Sequence, residues 1–283
     1  MSEEYVITPG GFRPKSTVHQ IASEHILDAT GGRIRELDPA GKTVNDFGEF
    51  STKLGDKPLM PGNVRAVNPA LQPGAKVPGL ASGWITYAGW NNATGKPITL
   101  FKTTWKVPPK PATEHGQTIF IFNGIQNSGW IFQPVLQWGP SAAGGGNYWA
   151  VASWYVDGSA YHSSLTNVSV GQSLVGVMTE TGKTGSNFNY NSIFQGIANS
   201  SFNVHNIPEL TWCCETLECY GMTVCSDYPN TEKTEMKDIE IKTTGGHPAL
   251  KWVAVDAHTD CHQHTVVVSD HNPGGEVDLY YKK

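Results

Sequence analysis

From residue 82 onward the chain is cut into short runs of aromatic and β-branched residues, and Gly, Pro or Asn ends each run within about ten positions. Residues 84–90, 100–107, 118–123, 132–138, 148–156 and 173–179 read this way. So do 187–194, 210–219, 236–243, 250–257, 264–269 and 276–281. With 31 Gly and 18 Pro in 283 residues, the punctuation is too dense for long helices. About a dozen short strands with almost no helix must bury their apolar faces on one another. The predicted class is therefore all-β, an antiparallel two-sheet β-sandwich. No internal repeat of fixed period is present.

Composition excludes several partners. Twenty Lys and Arg against 25 Asp and Glu give a formal net charge of −5, so neither nucleic acid nor an anionic membrane is expected. No apolar run reaches the 18 or so residues of a membrane span. The opening residues Met1–Tyr5 carry no basic or apolar leader, which predicts a cytoplasmic location and leaves unconventional export open. Three sequons, at Asn92, Asn167 and Asn199, are then silent. The five Cys are expected as reduced thiols used as small hydrophobes; a Cys219–Cys225 link is sterically possible.

Three regions are expected. Residues 1–80 read as an arm, with a hairpin over 33–47 around Asp38-Pro-Ala-Gly41 and a Pro- and Gly-rich linker over 54–80. Residues 81–245 read as the sandwich, and 246–283 as C-terminal strands packed on it. In 148–156, the face carrying Trp149, Ser153 and Tyr155 is expected to line a groove, and the alternate face to pack between the sheets.

A series of short segments then carries a resemblance. They are Trp105-Lys-Val-Pro-Pro109, Phe122-Asn-Gly-Ile-Gln126, Val135-Leu-Gln-Trp-Gly139, Ala152-Ser-Trp-Tyr-Val156, Val168-Ser-Val-Gly-Gln-Ser173 and Thr211-Trp-Cys-Cys-Glu215. In order and spacing this series resembles the eqolisins, the fungal glutamic peptidases, which have a concanavalin-like double sheet. The resemblance implies a catalytic Gln at Gln137 and a general base at Thr211. Threonine has no acidic proton equilibrium with which to act as that base. Gln126 and Ser153 likewise stand where the family has acids. Glu209, two residues before Thr211, is the available substitute base for a divergent peptidase pairing it with Gln137.

Two classes of function follow. One is a non-catalytic, lectin-like binding protein that takes an uncharged glycan or peptide in the groove. Its candidate ligand-binding residues are Gln126, Gln133, Gln137, Trp149, Ser153, Tyr155 and Thr211, since amides bond neutral polar groups and aromatic rings stack. The other is a hydrolase, either the Gln137–Glu209 peptidase or a metal enzyme. For the latter, His258, Cys261, His262 and His264 supply zinc-type ligands at a turn. Their spacing matches no known zinc pattern, so no cofactor is the primary expectation and zinc or another divalent metal the alternative.

Overall fold

The computed structural model describes residues 3–50 and 80–282. The expected linker over 54–80 lies outside the described residues, except for Leu80. In chain order the first six strands are β1 (Tyr5–Thr8), β2 (Gly11–Pro14), β3 (Val18–Gln20), β4 (Ile26–Asp28), β5 (Arg33–Leu37) and β6 (Thr43–Glu49). Then come β7 (Gly83–Asn91), β8 (Ile98–Lys106), β9 (Thr118–Gln126), β10 (Ile131–Trp138), β11 (Trp149–Val156), β12 (Ala160–His162) and β13 (Thr166–Asn167). The rest are β14 (Ser173–Thr184), β15 (Asn187–Phe194), β16 (Phe202–Ile207), β17 (Trp212–Tyr220), β18 (Lys233–Thr243), β19 (Val253–Asp256), β20 (His264–Ser269) and β21 (Gly275–Tyr280).

These strands form two large sheets and the small β1–β2 hairpin. The first sheet runs β19-β7-β17-β9-β10-β11-β12-β3, with β13 also paired to β11. The second runs β20-β21-β18-β8-β14-β15-β16-β4-β5-β6. Pairing is antiparallel apart from β12 with β3 and β16 with β4. The fold is thus an all-β two-sheet sandwich. The 33–47 hairpin is present as β5 and β6. The arm is not a separate body: β3 completes one sheet, and β4 to β6 complete the other.

The central strands β9, β10 and β11 are buried along their whole length, because both of their faces are covered. One face holds Ile121, Leu136, Val151, Phe132 and Tyr155 and packs between the sheets against Trp105, Tyr190, Phe194 and Phe202. The opposite, outer face holds Phe120, Phe122, Val135, Ala152 and Trp154. Ile7, Phe12 and Val18 of the N-terminal segment pack on this second layer. The sheets pack tightly at Gly176 on β14, where a Cβ would lie 2.6 Å from Asn123 Oδ1 of the other sheet and 2.7 Å from Trp105 of the neighbouring β8. Only glycine fits there.

The alternation expected for 148–156 is present with its faces exchanged. Ser153 Oγ donates to Ser200 O at 2.7 Å, in the loop joining β15 to β16, and accepts from Ser192 Oγ at 2.9 Å, on β15 of the second sheet. Trp149 meets Trp138 edge-on within the core. Trp149, Ser153 and Tyr155 are therefore intersheet residues rather than groove residues. A lone hydroxyl among aromatics gave no sign that hydroxyl partners faced it from the other sheet.

The cysteine expectation is also corrected. Cys225, in a short 3-10 turn, is bonded to Cys261, with Cα atoms 5.5 Å apart. Cys213, Cys214 and Cys219 are free and buried. The Cys219–Cys225 link that spacing allowed is not made: Cys219 is a free thiol inside β17, and Cys225 pairs with Cys261, 36 residues on. No helix among the described residues is long and apolar enough to cross a membrane.

Candidate functional site on the outer face of the first sheet

Register places the candidate side chains. On β10, Gln137 is level with Phe120 of β9, which is level with Glu218 of β17. Gln137 and Glu218 thus share the outer face with one strand between them. Thr211 precedes β17 and lies seven positions from Glu218, about 23 Å along the strand. Glu209 is farther still, and its carboxyl feels Lys183 and Glu180 of the second sheet. The substitute pair Gln137–Glu209 is therefore not assembled. Alternation alone could not settle this, because it fixes a face and not the height of one strand against another.

Gln137 is committed to the chain itself. Its Nε2 donates to Gly139 O at 2.8 Å and Gly144 O at 2.9 Å, while its Oε1 accepts from Ser141 Oγ at 2.8 Å. Gly145, with φ +103°, passes so close that a Cβ would sit 2.4 Å from Gln137 Nε2. Gln137 therefore clamps the 139–145 loop.

Gln133 is different. It is 1% exposed, and neither its Oε1 nor its Nε2 has a partner among the described residues. Its register neighbour on β11 is Trp154, and Gly124 and Cys214 lie on the neighbouring strands β9 and β17. Gln126, on the same face at the end of β9, also has an unpaired Oε1. Burying such an amide without partners costs about 1–3 kcal/mol. Trp84, Tyr87 and Phe122 form an aromatic cluster beside it.

Glu218 is the acid on this face that sequence reasoning missed. It is fully buried. The Gly10 N–H donates to its Oε1 at 2.7 Å, and the Tyr220 hydroxyl donates to the same oxygen. Burial pushes its pKa up to about 7, against the pull of the Tyr220 and Gly10 hydrogen bonds and the Arg13 charge. The donor Gly10 belongs to the β1–β2 turn, and Ile7 of the same hairpin accepts from Ala142 N at 2.8 Å. Phe12 meets Tyr220 edge-on at 5.4 Å. A sequence signal did exist: Glu215 and Glu218 are two acids inside an otherwise apolar strand. Cys214, beside Gln133, is no nucleophile, since burial pushes its thiol up to about 12.

The His segment does not converge. Cys261 is oxidised and offers no thiolate. His264 stacks on Tyr280 at 4.3 Å, and its Nδ1 bonds His262 O. Among the described residues, the three ligating side chains close enough to share an ion are Glu235, Glu276 and Asp278. Lys233 and Lys237 already pair with all three.

No family model and no curated protein matches this chain. Among solved structures, it is similar to Scytalido-glutamic peptidase bound to a peptide-based transition-state analogue. That likeness has 12% identity and a TM-score of 0.46, over 70% of this chain and 98% of the other. It is similar also to SCP-B, a member of the eqolisin family of peptidases, in complex with the tripeptide Ala-Ile-His. There the identity is 14% and the TM-score 0.43, over 71% of this chain and 99% of the other. The sandwich itself stands on the strand pairing described above.

Proposed function

We propose that this protein is a non-catalytic recognition protein, and that the outer face of its first sheet binds an extended, uncharged peptide segment. The carrying observation is Gln133. Its two amide atoms are buried and unpaired beside Trp154, and a peptide group reaching them once that face is uncovered would satisfy both at once. Gln126 Oε1 supplies a further acceptor for a backbone N–H. The chain's own β1–β2 hairpin supports a peptide over a glycan, because it lies on the same face through backbone hydrogen bonds from Gly10 and to Ile7. The absence of a carboxylate beside Gln133 among the described residues weighs against hydrolysis there.

A second reading has its own observation. Glu218, with its pKa near neutrality and Gln137 on the same face, has the character of a general acid or base. One experiment separates the two readings. Displayed random peptides are selected on the wild-type protein, and the enriched peptides are titrated against Gln133→Leu. Denatured casein is also incubated with wild type and Glu218→Gln from pH 2 to 7. The binding reading expects affinity to fall about tenfold or more in Gln133→Leu, with no cleavage at any pH. Cleavage that disappears in Glu218→Gln would replace it with the hydrolase reading. Failure to enrich any peptide would remove peptide recognition.

A further inference from the structure

A cleft of about 320 Å³ opens between the β5–β6 hairpin and the turn joining β11 to β12. It lies away from Gln133 and is built from other residues. Its floor is aromatic. Trp130 and Tyr161 are buried, and the half-buried Phe47 meets Tyr161 at 5.3 Å with rings inclined 61°. Trp130 is braced from behind by Phe50, stacked at 5.0 Å. Its rim is polar, with Glu49 exposed and Asp157 half-buried. Asp157 Oδ1 accepts from Ser159 N at 2.6 Å, and among the described residues no side chain donates to the other carboxylate oxygen, which remains for a ligand.

The charges decide what kind of ligand fits. Each carboxylate already has a guanidinium close by. Arg13 donates to Asp157 O at 3.0 Å, and its charge acts on the Asp157 carboxyl. Arg33 lies opposite Glu49 in the β5–β6 register and feels its charge, although its fork is engaged by Asp46. His19 stacks on Phe47 and Tyr161 and is held towards the neutral form by burial. The cleft is thus nearly balanced, and a cation would gain little there. A neutral polyhydroxyl ring gains more: its C–H face packs on aromatic carbon, and its hydroxyls donate to carboxylates in short, charge-assisted bonds. The volume is at the small end for a ligand site and suits one or two sugar rings.

We infer that this cleft binds a neutral saccharide unit, packed on Phe47 and Trp130 and held through its hydroxyls by Asp157 and Glu49. The inference does not depend on peptide binding at the outer face. The test is saturation-transfer NMR and titration with the methyl glycosides of glucose, galactose, mannose and N-acetylglucosamine, up to roughly 10 mM. Tetramethylammonium serves as the charged probe. At least one glycoside is expected to bind, about tenfold more weakly in Phe47→Ala and more weakly in Glu49→Gln. Affinity in Gln133→Leu is expected to stay at the wild-type level. Glu49 is exposed, so that variant tests the site even if Phe47→Ala fails to fold. Binding of none of the four, undiminished binding in both Phe47→Ala and Glu49→Gln, loss in Gln133→Leu, or a preference for tetramethylammonium would each overturn the inference.

Discussion

Glu215 and Glu218 sit three residues apart on β17 and face opposite sides of one sheet. Glu215 points between the sheets, where Thr103 Oγ1 donates to it at 2.6 Å, and burial pushes its pKa well above the usual range. Glu218 points outward and, by burial, is raised to about 7. For a raised acid, the stabilising contribution is complete below the unfolded pKa of about 4.5 and is lost as pH rises through the folded value. Keeping Glu218 inside the fold therefore costs about 3 kcal/mol more at pH 8 than at pH 4. Glu218→Gln should remove that dependence while keeping the acceptor for Gly10. Denaturant unfolding of the two proteins should show the variant gaining on wild type by about 3 kcal/mol between pH 4 and pH 8. A constant difference would mean that Glu218 ionises normally in the fold. Neither acid stands out by spacing, since three residues matches no strand repeat. What marks them is their company of Cys, Leu and Tyr.

At the scale of elements, the 139–145 loop is held by one side chain together with its own backbone. Gln137 contributes three hydrogen bonds to it, beside the backbone bonds from Gly139 N to Gly146 O, from Ser141 N to Gly144 O and from Gly144 N to Ser141 O. Gln137→Ala leaves two carbonyls and a hydroxyl to find new partners and should destabilise the protein by about 1–3 kcal/mol. Amide exchange should rise over 139–145 while β10 and β11 stay protected; unchanged loop exchange would deny the clamp. Strand positions were legible from sequence because aromatic and β-branched runs end at Gly, Pro and Asn. The 118–123 run extends in the structure to Gln126, and 132–138 begins at Ile131. Which face of β11 points inward was not legible, as Trp149 and Trp154 are equally apolar and both faces are buried. The height of β17 against β10 was also hidden, because it is set through β9, a third strand far off in sequence. Gln126, Gln133 and Gln137 were readable as a set of amides, but only the fold distinguishes the clamped Gln137 from the unpaired Gln133.

Over the whole molecule, buried titratable groups oppose one another. Burial raises Glu215, Glu218 and Asp157, the last to about 6, and their contributions fade as pH rises. Burial also lowers His162 to about 4, and His19 and His205 in direction, so these make the fold less stable as pH drops below about 6.5. Asp227 and Glu240, both lowered to about 2 with their hydrogen bonds outweighing burial, withdraw support only below about pH 4. Above the histidine range only the raised acids still change, so stability should fall between roughly pH 6.5 and pH 8, with Glu218 alone supplying about 1 kcal/mol of that fall. Thermal unfolding across this range checks it; a maximum at pH 8 would contradict the assignment.

The parallel pairings of β3 with β12 and of β4 with β16 bear on how the chain is made. Gln20 bonds Ser164, 144 residues on, and Asp28 bonds Asn206, 178 residues on. The ribosome releases the first fifty residues long before their partners exist. They leave the exit tunnel with unmet donors and acceptors; β3 waits for β12, β4 waits for β16, and both sheets stay unfinished until β17 to β21 have emerged. These N-terminal strands are thus among the last to find their places, and a nascent chain arrested before β12 lacks the parallel partner of β3 and of β4 alike.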